Sequence, residues 1–426
     1  MDVRGRGGTG ALLALDAIGK QENHLIDSFS KDNSFFKGTS KRHTQFNTFY
    51  RGYKKFAPSE ETNWPFGHTV LFNLEPKTSG DLLANAYLKI EMPTLTLGNL
   101  YCTQLGLSII KECTLRLDGV VVDSIKVDWN VILSDIYTSQ NKWDSLNKTV
   151  YGATGFDSYP DVTKVTPLYI PLNLFFCRTA SDDFTPYLPL CACYNQLVEI
   201  GIEFQPIEFF TNTPTLKVPE ITLVTEGVIL QEDERDHYVY NKQTFTAKHI
   251  VSQPIQELKP GSDKIFITVT SPVKQLHLFC RNREFENLKS SDPLVFLNRF
   301  NFSLNTGLYG SITSEILFQP LYQVDISYNK SVNVQKFDTI TPASSLIFGK
   351  TVNNTNLRIP YRNIYSYGFC LDPYSTQSTG SANLQDTVIS LESSPLMTTP
   401  HNVHVYYSSF KFFKFEGGYG SLLFTQ

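Results

Sequence analysis

Apolar and polar residues alternate with a period of two along most of this chain. Between Tyr87 and Glu91, Leu88 and Ile90 fall on one face and Tyr87, Lys89 and Glu91 on the other, and Met92-Pro93 closes the run. That pattern predicts a strand with one buried and one wet side. Cys113, Leu115 and Leu117 alternate with Thr114, Arg116 and Asp118, and Asp118-Gly119 then leads into Val120-Val121-Val122. An Asp-Gly pair between alternating segments predicts a tight antiparallel hairpin. Val198, Ile200, Ile202 and Phe204 alternate with Glu199, Gly201 and Glu203 as a further half-buried strand, and Ile221 to Ile229 completes a first set.

The alternation breaks in three places. From Asp123 to Tyr137 the spacing of Val127, Val131 and Ile132 fits a short helix, with Asp123 or Ser124 as its N-cap. Residues 138–167 lack periodicity and read as one long surface loop projecting from the body. The run Glu232-Asp233-Glu234-Arg235-Asp236 is an abrupt rise in charge and predicts a short helical linker. Strand patterning then resumes at Ile265, Ile267 and Val269, at Leu276, Leu278 and Cys280, at Tyr365 to Cys370 and at Val403 to Tyr407.

With 426 residues, the chain is long enough for two domains. The layout expected is a leading segment at 1–34, a first sandwich at 35–230, a linker at 231–245 and a second sandwich at 246–426. The halves share their grammar of strands and loops, with no residue-level repeat between them. Within the leading segment, Leu12, Leu15 and Ile18 sit at helical spacing after a Gly-rich start. Asp16 cuts that apolar run short and no small-residue cleavage site follows, which argues against a secretory signal.

Aromatic residues make up 13% of the chain and charged residues 18%, which favours pleated, half-buried surfaces over long solvated helices. A net charge of -4 gives no electrostatic footprint for direct contact with nucleic acid. No apolar run reaches the roughly 20 residues that a membrane-spanning helix needs. The seven cysteines are scattered through apolar strands without the spacing of a disulfide framework, so buried free thiols in a reducing compartment are expected.

Candidate chemistry is sparse. The eight histidines show no metal-ligand spacing, and Cys191-Ala192-Cys193, read as two thiols on one face of a strand, lacks the second pair that a zinc site requires. Nucleophile-elbow and phosphate-loop motifs are missing from the sequence, so no catalytic residue, metal or cofactor is expected. Sequons occur at Asn147, Asn301, Asn329 and Asn353, glycosylation acceptors only where the chain meets a lumenal compartment. The aromatic and basic lead from Phe35 to Phe56 reads as rings filling the base of the first sandwich, with Phe35, Phe36, Lys37, Arg42 and Arg51 offering basal or inter-subunit contacts.

Two blocks together resemble one family. Phe35-Phe36-Lys37 leads into the first strands, and Ile170-Pro171-Leu172-Asn173-Leu174-Phe175-Phe176 is followed by Leu188-Pro189-Leu190. Leu115-Arg116-Leu117-Asp118-Gly119 through Trp129, Ile364-Tyr365-Ser366-Tyr367-Gly368-Phe369 and the Gly-rich end at Gly417-Gly418 keep the same order. This is similar to the double jelly-roll major capsid proteins of large nucleo-cytoplasmic DNA viruses, of the algal-virus and iridovirus type. The chain departs from the family's pattern at Gln377 to Thr387, which lacks a Pro and an Arg-Ile pair, and near Asp325 to Asp338.

The resemblance implies an all-β chain of two tandem eight-stranded jelly-roll sandwiches with a few short connecting helices. It also implies a non-enzymatic function, that of homotrimeric pseudo-hexagonal capsomers tiling an icosahedral shell. Implied partners are further copies of the chain, minor capsid and penton proteins, and proteins of an inner membrane, without direct nucleic acid. The implied location is the virion capsid, assembled in the host cytoplasm. A minor capsid component of the same lineage and a carbohydrate-binding tandem β-sandwich are the alternatives; the latter needs converging carboxylates or an Asp-rich calcium loop, and the sequence shows none.

Overall fold

The computed structural model describes residues 46–58, 63–102, 105–133, 145, 148–150, 152, 160–177, 186–259, 261–267, 269, 272–282, 321–327, 335–336, 364–369, 387–393 and 400–423. The four sequons, Phe35, Phe36, Lys37, Arg42 and the predicted helix around Leu12 lie outside these residues.

Among the described residues, nine strands precede the charged run: β1 (Phe46–Lys55), β2 (Thr69–Leu74), β3 (Leu82–Met92), β4 (Ile110–Leu117), β5 (Val120–Lys126), β6 (Thr166–Pro171), β7 (Leu188–Pro189), β8 (Val198–Phe204) and β9 (Glu220–Leu230). Ten follow it: β10 (Gln243–Ser252), β11 (Gln256–Leu258), β12 (Ser262–Ile267), β13 (Gln275–Asn282), β14 (Leu321–Ser327), β15 (Gln335–Lys336), β16 (Ile364–Gly368), β17 (Thr387–Ser393), β18 (His401–Glu416) and β19 (Tyr419–Leu422). The α-helices used below are α1 (Leu105–Ile109), α2 (Val127–Ile132) and α3 (Glu232–Tyr240).

The strands form two pairs of antiparallel sheets. The N-terminal sheets run β1-β9-β3-β6 and β2-β8-β4-β5; the C-terminal ones run β10-β18-β13-β16 and β12-β17-β14-β15. With the short β7, β11 and β19 set aside, counting the eight strands of each half from one gives the same orders twice, 1-8-3-6 and 2-7-4-5. That is the wiring of a jelly roll, in which the first and last strands pair with each other and the first strand ends its sheet. Repetition between the halves, invisible residue by residue, is therefore complete at the level of topology.

The hairpin at Asp118-Gly119 forms as expected, with Leu117 opposite Val120 and both turn residues at positive φ, 50° and 80°. A two-residue turn of this type needs that conformation at both positions to match strand twist. Leu88, Ile90 and Met92 enter the N-terminal core together with Phe72, Ile200 and Ile202 of the facing sheet. Ile265, Ile389, Leu276, Leu278, Val403 and Val405 build the C-terminal core in the same manner.

Four expectations need correction. β8 is not half-wet: Glu199 and Gly201 are buried as well, because β8 lies between β2 and β4 and its neighbours' side chains close over it. A Cβ on Gly201 would stand 2.6 Å from Thr114 Oγ1 and 3.1 Å from Leu71 Cδ2. Asp123 does not cap α2; it remains in β5 while Lys126 occupies the cap position without a side-chain hydrogen bond. Segment 138–167 is not simply a projecting loop, since Val150 is buried in the N-terminal core against Gly106 and β6 has already begun at Thr166. Cys191 and Cys193 sit in a buried 3-10 turn, Leu190–Cys193, rather than a strand.

The long strand β18 contributes to both cores. β18 is 16 residues long, on the order of 50 Å of extended chain. Its first half gives Val403, Val405 and Tyr407 to the C-terminal core, and its second half gives Phe413 and Phe415 to the N-terminal one. Phe413→Ala is therefore expected to cost about 3–5 kcal/mol by urea denaturation, the range for emptying a buried Phe site. A loss below about 1 kcal/mol would show that the shared core is incidental.

Candidate assembly interface

The two halves meet along a buried seam, and local backbone chemistry explains how. In β5, Leu115 faces Asp123 and Arg116 faces Val121, so Val122 is the extra residue of a β-bulge. A bulge frees one residue from the ladder and re-aims its neighbours. Here the Val122 carbonyl accepts a hydrogen bond from Lys411 Nζ of β18 at 2.7 Å, and Asp123 turns inward. The Asp123 carboxylate accepts from Phe175 N at 2.9 Å and lies 3.4 Å from His249 Nδ1 of β10.

The motif from Ile170 to Phe176 thus acquires a structural role. It delivers the Phe175 N–H to Asp123, and the Phe175 ring packs 4.5 Å from Phe413 and 6.1 Å from Phe245. Asn173, at φ 53°, donates to Asn130 of α2 at 2.7 Å. Helix α2 then contributes Asp128, which accepts from Tyr406 Oη at 3.1 Å with His404 Nδ1 at 3.8 Å, and Trp129, whose ring lies 5.6 Å from His277. At the far end the β18–β19 turn, Gly417-Gly418, docks on Asn195, and Gln196 both donates to and accepts from Gly420. Positive φ at both turn glycines and Tyr194 atoms 2.9 Å from where a Gly418 Cβ would lie make glycine necessary at Gly418.

The consequence for the C-terminal half is that sheet β10-β18-β13-β16 is covered on both faces. Leu276 and Leu278 point into their own core, while the alternate residues His277 and Phe279, with His404 and Tyr406, face the N-terminal half.

Among the described residues, the corresponding sheet of the N-terminal half is covered on one face, and on its other face only at one end. On the outside of β1-β9-β3-β6 lie Tyr50, 67% exposed, Tyr169, 41% exposed, and Tyr87, with Glu226 among them. Tyr87 and Tyr169 rings are 6.1 Å apart. Partial burial holds the Tyr87 hydroxyl above its ordinary range, and the neighbouring Tyr50, Tyr169 and Glu226 push it the same way. Lys54 pairs with Glu220 and Lys89 with Glu91 around this patch. At its upper end Leu82, Ala84 and Val228 are roofed by Tyr187 and by Tyr238 of α3. That helix has no buried residue; Arg235 anchors it to Asp81 at 3.3 Å, and its three acidic residues sit at its positive N-terminal end.

Of the predicted contact residues, Arg51 alone is described. It is exposed on the edge strand β1, donates to the Thr78 carbonyl at 3.0 Å and lies over the Tyr53 ring. The expectation that rings of the lead fill the base fails for Phe46, Tyr50 and Phe56, which are 53%, 67% and 78% exposed. They alternate outward, while Phe49 and Tyr53 are half-buried. The seam itself escaped sequence reasoning, because its members come from segments far apart in the chain, with Asp123 read as a helix cap and His249 and Lys411 outside the strands that the alternation marked.

Among the described residues no group of three or more His, Cys, Asp or Glu side chains could hold a metal ion. Six cysteines are described, and all are buried. Burial pushes the thiols of Cys102, Cys177, Cys191 and Cys193 up to about 12 and that of Cys113 well above its ordinary value. No helix among the described residues is long and apolar enough to cross a membrane.

Two jelly rolls in tandem, fused through a common core and presenting one bare aromatic sheet face, define a class of structural building block. Residues 34–240 match the family described as major capsid protein N-terminus. The fold is similar to the PBCV-1 virus capsid protein, at 15% identity and a TM-score of 0.69 over 92% of this chain and 100% of that one. It is also similar to the Faustovirus major capsid protein, at 10% identity and a TM-score of 0.62 over 90% and 92% of the two chains. The capsid protein of the Sputnik virophage aligns at 10% identity with a TM-score of 0.50 over 93% and 92%. No curated protein matches the sequence. Residues 34–240 thus carry the N-terminal module of the major capsid proteins, and the chain as a whole has the double jelly-roll fold of those solved structures.

A thiolate, not a thiol, is the reactive species. Maleimide treatment of native protein at pH 7 is thus expected to leave the six described cysteines unmodified in peptide mapping, and all six to react in denaturant. Rapid native labelling at Cys191 or Cys193 would contradict the burial described for them.

Proposed function

We propose that three copies of this chain close around a threefold axis into a pseudo-hexagonal capsomer that tiles an icosahedral shell. The observation that carries the reading is the contact inside one chain. The edge of the N-terminal jelly roll at β5 meets the edge of the C-terminal one at β10. This is a head-to-tail contact between two copies of one topology, and it leaves β1, the counterpart of β10, and β15, the counterpart of β5, at sheet ends. Repetition of a head-to-tail contact generates a ring when its rotation closes. Six jelly rolls, two per chain, then form the ring.

The bare tyrosine face supports the same reading. Its counterpart in the C-terminal half, with His277, Phe279, His404 and Tyr406, is covered by the preceding jelly roll. Tyr50, Tyr87 and Tyr169 stand where the next chain would provide that cover. Tyrosine suits such a face, with a large apolar ring and a hydroxyl that tolerates either state.

In this reading the units are 35–230 and 246–426, joined by 231–245 and preceded by a basal segment at 1–34. Phe35, Phe36, Lys37, Arg42 and Arg51 contact neighbouring copies, minor capsid or penton proteins, or proteins of an inner membrane. Assembly takes place in the host cytoplasm, where the sequons stay bare, and the chain has no catalytic role.

Light scattering of purified protein is expected to give about three times 48.3 kDa, with a six-lobed outline in negative stain. A stable monomer at micromolar concentration would overturn the reading. The double substitution Tyr50→Asp with Tyr169→Asp is expected to shift the mass to that of a monomer while changing the melting temperature of the monomer little, since both side chains are exposed. Trimers unaffected by it would exclude this sheet face from the interface.

A further inference from the structure

We propose that the seam between the two jelly rolls is an acid-sensitive latch, in which protonation of His249 and His277 loosens the joint while each jelly roll keeps its own sheets. The inference stands on groups buried at the joint and does not depend on the trimer.

His249 projects from β10 into the seam and is buried. From β5 it meets Asp123, from β18 Lys411, and across the cleft mouth Glu112 of β4 and Lys126 of β5, with Lys248 beside it in sequence. Glu112 and Lys126 are directly opposite one another on neighbouring strands, so each offsets the other. Asp123 is left to face both Lys411 and His249. One carboxylate can balance one cation in a buried site, and a second positive charge there is unfavourable. Burial is the main reason that the His249 imidazole lies below its ordinary value; Lys411 adds to this, and Asp123 opposes it.

His277 is fully buried on β13. Its Nδ1 is 2.8 Å from Ser366 Oγ of β16, the Trp129 ring of α2 lies 5.6 Å away, and Lys248 is the charged group acting on it. Tyr406 of β18 is opposite it in register, and that hydroxyl is committed to Asp128. Burial carries this imidazole down to about 3.

Both histidines bind a proton less readily in the closed seam than when open to water, where the ordinary value is near 6.5. The closed state holds its full stability above pH 6.5 and loses it progressively below, by up to about tenfold in the closed-to-open ratio per pH unit for each histidine. A cleft of about 330 Å³, lined by Ser124, His249, Ile250, Tyr406 and Lys411 among others, gives water a route to His249. Tyrosine, not histidine, occupies the exposed counterpart face, so acid acts within the chain.

The test is amide hydrogen exchange of the full chain between pH 7.5 and 4.5, with rates corrected for the intrinsic pH dependence. β5 and β10 are expected to lose more than about thirtyfold in protection between pH 6.5 and 5, that is more than about tenfold per pH unit, while β2 and β8 of the N-terminal jelly roll hold theirs. His249→Gln with His277→Gln is expected to abolish that difference. Three results would each overturn the proposal: unchanged protection of β5 and β10 down to pH 4.5, simultaneous loss in all sheets, or an unaltered transition in the double variant. Should the double variant fail to fold, the slope in the natural chain decides: a loss steeper than tenfold per pH unit requires two protons, and a slope of at most tenfold is the overturning result.

Discussion

Everything distinctive about this chain depends on β18 being too long for the jelly roll that owns it. Its first half closes the C-terminal core through Val403, Val405 and Tyr407, and its second half runs on to place Phe413 and Phe415 in the N-terminal core. Two sandwiches joined by the charged segment alone could rotate about it, because α3 has no fully buried residue and is anchored through Arg235 and Tyr238 to the N-terminal jelly roll. A strand hydrogen-bonded within one unit and packed within both removes that freedom. The short β18–β19 hairpin completes the restraint by hooking Gly417-Gly418 over Asn195.

A capsid building block needs this kind of rigidity, since an angular error at one joint is repeated at every copy. The joint inside the chain and the joint proposed between chains are the same contact in topological terms, β5 against β10 and β15 against β1. They differ in chemistry because they differ in history. The internal joint forms once, during folding, and tolerates buried His, Asp and Lys. A joint between copies must exist first as a free surface, and the N-terminal face accordingly carries tyrosines and paired ions that are stable in water.

The sequence was informative wherever one face of a strand was wet. Leu88 against Lys89, the Asp118-Gly119 turn and the charged run at Glu232 each left a local pattern that the structure follows. It failed where burial was two-sided or long-range. Glu199 and Gly201 read as a solvent face because nothing local shows that β2 and β4 will close over them. Asp123 read as a helix cap because a bulge, which depends on strand pairing, decided its direction instead. The equivalence of the halves was hidden for a similar reason, since strand order depends on contacts far apart in the chain and many sequences satisfy it.

The seam could have been purely apolar, and replacing buried ion pairs by packed hydrophobes is often neutral or stabilising. Apolar contact, however, is nondirectional, and Phe175, Phe245, Phe413 and Phe415 could slide against one another with little loss. The polar groups make sliding costly. A shift of one residue along β18 would withdraw Lys411 from the Val122 carbonyl and Tyr406 from Asp128 together, and each buried group left unpaired costs about 1–3 kcal/mol. A few bonds at fixed positions thus select one register from several of similar apolar area. The same bonds concentrate titratable groups at the joint, so a single-register seam built this way is also one that acid can reach.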